Sequence, residues 1–120
     1  MASITASLST NLTGSIKIAG DKSISHRSII LGALSIGETT VNGLLESQDI
    51  LATISAMQAF GADIEKKADH KRQINGLGVG GLDEPKKVLD LGNSGTGVRL
   101  LLGVAASNPI TSFFSGDESL

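Results

Sequence analysis

Lys22, Ser23 and Arg27 stand close together in the run Gly20-Asp21-Lys22-Ser23-Ile24-Ser25-His26-Arg27, and between them they could hold an anion. Lys22 brings a flexible point charge, and Arg27 a planar fork able to grip a carboxylate or phosphate with two hydrogen bonds. Ser23 and Ser25 are residue types that cap helices. At such a start, unpaired backbone N–H groups and the positive end of the helix dipole favour negative charge. With Ser23 as N-cap, Arg27 falls one turn into the helix on the side reached at i, i+4. A plainer reading competes with this one: a lysine and an arginine near a helix start are more often solvated surface charges, and a single histidine such as His26 is more often structural than catalytic. The run is not a P-loop, which needs a glycine directly before the lysine where this chain has Asp21.

The elements that must position these residues follow from periodicity and punctuation. Residues 1–13 are Ser/Thr-rich and read as a weak strand or arm. From Gly14 to Ala19, Ile16 and Ile18 alternate with Ser15 and Lys17 as in a half-buried strand, and Gly20 lets the chain turn. A helix is expected from about Ser23 to Ser35, buried over Ile29, Ile30, Leu31, Ala33 and Leu34, with Gly37 as its stop. Glu38 to Asn42 reads as a strand. Ser47 then caps a helix from about Gln48 to Phe60, with Asp49 favourable in its first turn. Its apolar stripe is Ile50, Ile54 and Met57, flanked by Leu51 and Phe60, and Gly61 ends it.

Residues 62–66 and 72–76 read as two short strands joined by a polar turn that leaves His70 in solvent. Gly76-Leu77-Gly78-Val79-Gly80-Gly81 has the glycines of a nucleotide loop. No helix follows it, so it reads as an ordinary loop. Lys87 to Leu91 is an expected strand, Ser94 to about Ser107 a helix, and Ile110 to Phe114 a strand.

Composition bounds the rest. A chain of 120 residues, 40% hydrophobic, can bury one core. A net charge of −2 without Tyr or Trp argues against a general nucleic-acid or membrane-surface binder. The lack of Cys excludes disulfides and thiolate metal sites and fits a reducing compartment. Two His without acidic partners at ligand spacing argue against zinc. The N-terminal residues have neither the basic region nor the apolar core of a signal peptide, and no apolar run is long enough to span a membrane.

Displaced by about 72 residues, Gly20 falls on Gly92, Arg27 on Arg99, Ala33 on Ala105, Thr39 on Thr111, Glu46 on Glu118 and Ser47 on Ser119. The register holds across a strand–turn–helix–strand unit, so the chain reads as one repeat and the first part of a second, which breaks off before its own second helix.

The eight residues from Gly20 to Arg27 resemble the N-terminal signature of the 5-enolpyruvylshikimate-3-phosphate synthases, the enolpyruvyl transferases of the shikimate pathway. Leu91-Gly92-Asn93-Ser94-Gly95-Thr96-Gly97-Val98-Arg99 is similar to the same family's second motif, and Gly43-Leu44-Leu45, Met57 to Ala62 and Ser115-Gly116-Asp117 match further segments. The resemblance implies an α/β (α+β) fold of the enolpyruvyl-transferase type, built from βαβαββ repeats, three per domain, in two domains facing a cleft. Residues 1–19 would be an N-terminal arm or strand associated with the other domain. Residues 20–120 would be a truncated part of the first domain, about one and a half units, with apolar helix faces left for neighbours.

The implied reaction transfers the enolpyruvyl group of phosphoenolpyruvate to the 5-hydroxyl of shikimate 3-phosphate and releases phosphate, in aromatic amino acid and chorismate biosynthesis. By the same resemblance Lys22 would touch both substrates and assist proton transfer. Ser23 and Arg27 would join it in holding shikimate 3-phosphate, and Asn93, Gly95 and Thr96 would line the phosphoenolpyruvate side. Gly95 is the glycine tied in this family to sensitivity to the herbicide glyphosate. Arg99 is open between a ligand and a structural ion-pair partner. Leu100 replaces the proline that many members carry after that arginine.

No cofactor and no metal are implied. The partners are the two small-molecule substrates and the rest of the enzyme, with no nucleic acid and no membrane, and the location is cytoplasmic. The sister transferase acting on UDP-N-acetylglucosamine competes, but typically carries Lys-Asn where this chain has Lys22-Ser23. A non-catalytic anion-binding fragment is the other alternative, since the chain alone is expected not to turn over.

Overall fold

The first two helices pack on a small antiparallel sheet and the third packs against the second in the computed structural model, which describes residues 2–120. In chain order the elements are α1 (Lys22–Leu34), β1 (Ile36–Asn42), α2 (Gln48–Ala59), β2 (Asp63–Ala68), β3 (Lys71–Leu77), β4 (Leu89–Asp90), α3 (Gly95–Ala106) and β5 (Phe114–Ser115). The sheet order is β1-β3-β2, and β4 pairs parallel to β5. Thr39, Ile74 and Ile64 stand opposite one another across the three strands. Ile64 and Ile74 are buried there. On the outward positions, Gln73 bonds Glu38 and Asn75 bonds Asp63. That alternation is the period-2 signature of a sheet with one wet face.

The core joins Ile29, Ile30 and Ala33 of α1 to Ile50, Ile54 and Met57 of α2, with Leu44, Phe60, Leu91 and Leu101. Burying side chains of this size is the main force holding the helices to the sheet, at about 1.5–3 kcal/mol each. An ion pair fastens the loop before α2 to the sheet: Arg72 of β3, only 5% exposed, lies 2.6 Å from Glu46. The contact with Arg72 holds the Glu46 carboxyl below its ordinary range.

Several expectations are corrected. Residues 14–19 form no strand, and Ile16 and Ile18 are 88% and 82% exposed. Alternation makes a strand only where a neighbour completes the ladder, and β1 is hydrogen-bonded along one edge alone. Gly37 does not stop α1. The helix closes at Ser35, whose N–H bonds Leu31 O, and Gly37 sits inside β1 at φ +93°. Leu31 and Leu51 face solvent rather than the core. The last strands are shorter than expected, at Leu89–Asp90 and Phe114–Ser115.

His70 does lie exposed on the β2–β3 turn, in a left-handed conformation at φ 56°. It also reaches back, with Nδ1 2.9 Å from Leu44 O. Displaced by the same offset, α1 falls on α3, but the strands that follow do not match: β1 would fall on residues 108–114, whereas β5 begins only at Phe114. No described helix is long and apolar enough to cross a membrane.

Candidate functional site

Asp21, not Ser23, caps α1: its carboxylate accepts from Ile24 N at 2.7 Å, and Ser23 lies inside the helix. Both are favoured cap types, but Asp at this place also supplies a negative charge to the positive helix end. The anion-holding capacity here therefore resides in side chains rather than in a bare helix terminus.

Those side chains sort by helical position. Ser25 and His26 turn inward and are buried, while Lys22, Ser23 and Arg27 remain at the surface. Ser25 Oγ accepts from Leu45 N at 3.0 Å and ties the helix to the β1–α2 loop. Arg27 donates to Ser23 O at 3.1 Å, one turn back. Lys22 Nζ lies 3.0 Å from Asp49 Oδ2 of α2. One turn further along both helices, His26 Nδ1 lies 2.8 Å from Thr53 Oγ1. Two polar pairs at i, i+4 spacing thus join α1 to α2 at their N-terminal ends.

Burial holds the His26 imidazole below its ordinary value of 6.5. The Asp49 carboxylate opposes this, and Lys22 and Arg27 add to it. The unfolded chain therefore takes up the proton first as the pH drops. The His26 contribution to stability is complete above 6.5 and declines as the pH falls below it. Urea unfolding followed from about pH 8 down to about pH 5 should show this loss, and His26→Gln should flatten that part of the curve. Equal pH slopes in parent and variant would show that the imidazole is not held neutral.

The second motif is built by a tight turn. Asp90 Oδ1 accepts from Gly92 N at 2.9 Å, Gly92 adopts φ +54°, and Ser94 caps α3 by accepting from Gly97 N at 3.1 Å. Asn93 is exposed, and Gly95 and Thr96 are half-buried. A Cβ on Gly97 would lie 2.6 Å from Ser94 Oγ and 3.2 Å from Thr53 Oγ1, so α3 packs tightly against α2 at that point. A Cβ on Gly95 would meet nothing, so packing within the chain does not require glycine there. Arg99 is exposed and has no ion-pair partner among the described residues.

Each of the two motifs meets α2. A crevice of about 300 Å³ is lined by Asp49, Ala52 and Ser55 of α2 and by Asp90, Gly92 and Asn93. Asp49 thus touches both sides, pairing with Lys22 and lining the space beside Asn93. Lys22, Ser23 and Arg27 share one helix start but do not line this crevice, and neither do Gly95 and Thr96. Sequence reading missed Asp49 and Thr53 as members of the site. Asp49 was legible only as a charge suited to a helix start, and Thr53 is hidden between the core residues Ile50 and Ile54. Their i, i+4 spacing was the available signal.

A family-wide sequence model described as EPSP synthase (3-phosphoshikimate 1-carboxyvinyltransferase) matches residues 7–120. The chain is 57% identical over 117 residues to a protein of Paracoccus denitrificans named 3-phosphoshikimate 1-carboxyvinyltransferase, covering 98% of this chain and 26% of that protein. It is 60% identical over 109 residues to one of the same name from Jannaschia sp., covering 91% of this chain and 24% of the relative. Among solved structures it resembles the EPSP synthase of Acinetobacter baumannii with a TM-score of 0.85 at 44% identity, over 89% of this chain and 24% of that one. The chain spans about a quarter of the length of these relatives.

Proposed function

Because the chain belongs to the EPSP synthase family, we propose that it contributes one wall of the active site of a 3-phosphoshikimate 1-carboxyvinyltransferase. That enzyme joins the 5-oxygen of shikimate 3-phosphate to the enolpyruvyl group of phosphoenolpyruvate and releases phosphate. Both substrates are polyanions, so the wall must offer cations that packing has not already consumed.

The observation that carries the reading is the start of α1. There Lys22, Ser23 and Arg27 stay accessible while Ser25 and His26 beside them are locked inward. Lys22, Ser23 and Arg27 hold shikimate 3-phosphate, and Arg27 can meet an anionic oxygen with two donors. Lys22 also faces phosphoenolpyruvate and assists proton transfer. Asn93, Gly95 and Thr96 line the phosphoenolpyruvate side, where the open space around Gly95 leaves room for a phosphate. Residues 20–120 belong to the first domain. Residues 1–19 are an arm whose exposed Ile4, Leu8, Leu12, Ile16 and Ile18 suit a hydrophobic partner in the remainder of the enzyme. The cytoplasmic location expected of the family goes with this reading.

The test is phosphate release by the full-length enzyme that carries this segment. Shikimate 3-phosphate with phosphoenolpyruvate should support turnover, and UDP-N-acetylglucosamine in its place should not. Gly95→Ala should fold as well as the parent, since its methyl meets no atom of the chain, yet raise KM for phosphoenolpyruvate by about tenfold. An unchanged KM would remove Gly95 from the site, and turnover with the nucleotide sugar would transfer the chain to the sister activity.

A further inference from the structure

α2 contains neither motif, yet it supplies the side-chain partner, among the described residues, of two polar α1 residues: Asp49 for Lys22 and Thr53 for His26. The Asp49 carboxylate is not taken up in capping its own helix, where Ser47 is the N-cap, and its partner is Lys22. It is also the more buried member of that pair, with 19% of its side chain exposed against 52% for Lys22. Its location is rigidly set. One turn along, Thr53 meets the buried His26 on one side, and on the other side α3 comes close enough that a Cβ at position 97 would lie 3.2 Å from Thr53 Oγ1. In addition, Asp49 lines the crevice that Asn93 enters from the second motif.

We propose that Asp49 is a positioning residue for Lys22, holding the ammonium where α1 meets α2 so that its remaining donors face the reacting atoms. This rests on the enolpyruvyl-transfer reading of the same site. An unrestrained lysine spreads over many rotamers, and a fixed carboxylate 3.0 Å away selects among them. The same carboxylate repels an approaching polyanion, so it does not serve ground-state affinity. These two effects act in opposite directions and give the role a signature distinct from structural damage.

The experiment measures turnover, the Kd for shikimate 3-phosphate and the melting temperature of the full-length enzyme with Asp49→Ala, Asp49→Glu and Lys22→Ala, singly and with Asp49→Ala and Lys22→Ala combined. Asp49→Ala should lower kcat by about ten- to a hundredfold, the scale on which misplaced reacting groups act, with Kd unchanged or tighter. Asp49→Glu should recover part of the loss, and Asp49→Ala should add nothing once Lys22 is alanine. A kcat within about twofold of the parent would overturn the proposal. So would parallel losses of kcat, affinity and melting temperature, which would mark Asp49 as part of the scaffold only. Full turnover in Lys22→Ala would instead strike at the site itself, and this proposal would fall with it.

Discussion

Lys22→Ala in the full-length enzyme is expected to lower kcat by about a thousandfold, the combined scale of a lost proton-transfer group and a lost charge aimed at anionic substrates. The ammonium has three donors, and within the chain its side-chain partner is Asp49 at 3.0 Å, which leaves two for substrates. Folding should hardly notice the change, because an exposed ion pair contributes only about 0–1 kcal/mol. Lys22→Arg should rescue poorly, since a rigid, planar fork with delocalised charge cannot place a point charge at the same spot. Steady-state kinetics with a melting curve on the same sample decides the matter. Turnover within about tenfold of the parent, from a folded sample, would take Lys22 out of the catalytic machinery.

The second large effect falls on folding. Gly20→Ala should destabilise the protein by about 3 kcal/mol, because the added Cβ would overlap the carbonyl oxygen of Gly43 and crowd neighbouring backbone. Leu45 N would lie 3.1 Å away and the Gly43 carbonyl carbon 3.3 Å away. No side chain can rotate aside to make room, so α1 and the β1–α2 loop must separate. That separation would break the 3.0 Å bond between Ser25 Oγ and Leu45 N and unseat the buried Leu44. Denaturant unfolding of Gly20→Ala and Gly20→Asn separates the two possible reasons for a glycine here. If close approach is the reason, asparagine is at least as damaging as alanine; if a left-handed turn were, asparagine would be the milder change. Gly20 is not among the positive-φ glycines, so the structure favours the first.

Gly20 therefore marks how far sequence reading reached. A glycine after an alternating segment announced a turn, but the backbone at Gly20 shows neither turn nor bend. The reason it must be glycine, contact with a loop 23 residues later at Gly43, has no local trace. Helix positions were more legible. Periodic apolar residues and cap types placed α1, α2 and α3 to within a residue or two, because those signals arise from neighbours in the chain. The cap of α1 was misassigned because Asp21 and Ser23 are both good caps, and two residues of offset lie within the resolution of such signals. The strand expected at residues 14–19 failed for a different reason. Alternation records which side chains would share a face, but a strand exists only where another backbone accepts its hydrogen bonds.

The residues of the site divide in the same way. Sequence alone determined the two motifs, their order, the family and the helix starts that carry Lys22, Ser23, Arg27 and Asn93, because each depends on residues adjacent in the chain. Only the tertiary structure decided that Asp49 meets Lys22, that Thr53 meets His26, and that Gly97 lets α3 close on Thr53. Periodicity tells which face a side chain occupies and never which helix comes to lie against it. That choice is made when whole faces pack, and it is the packing of α1 and α3 against α2 that sets Asp49 between Lys22 on one side and the crevice lined by Asn93 on the other.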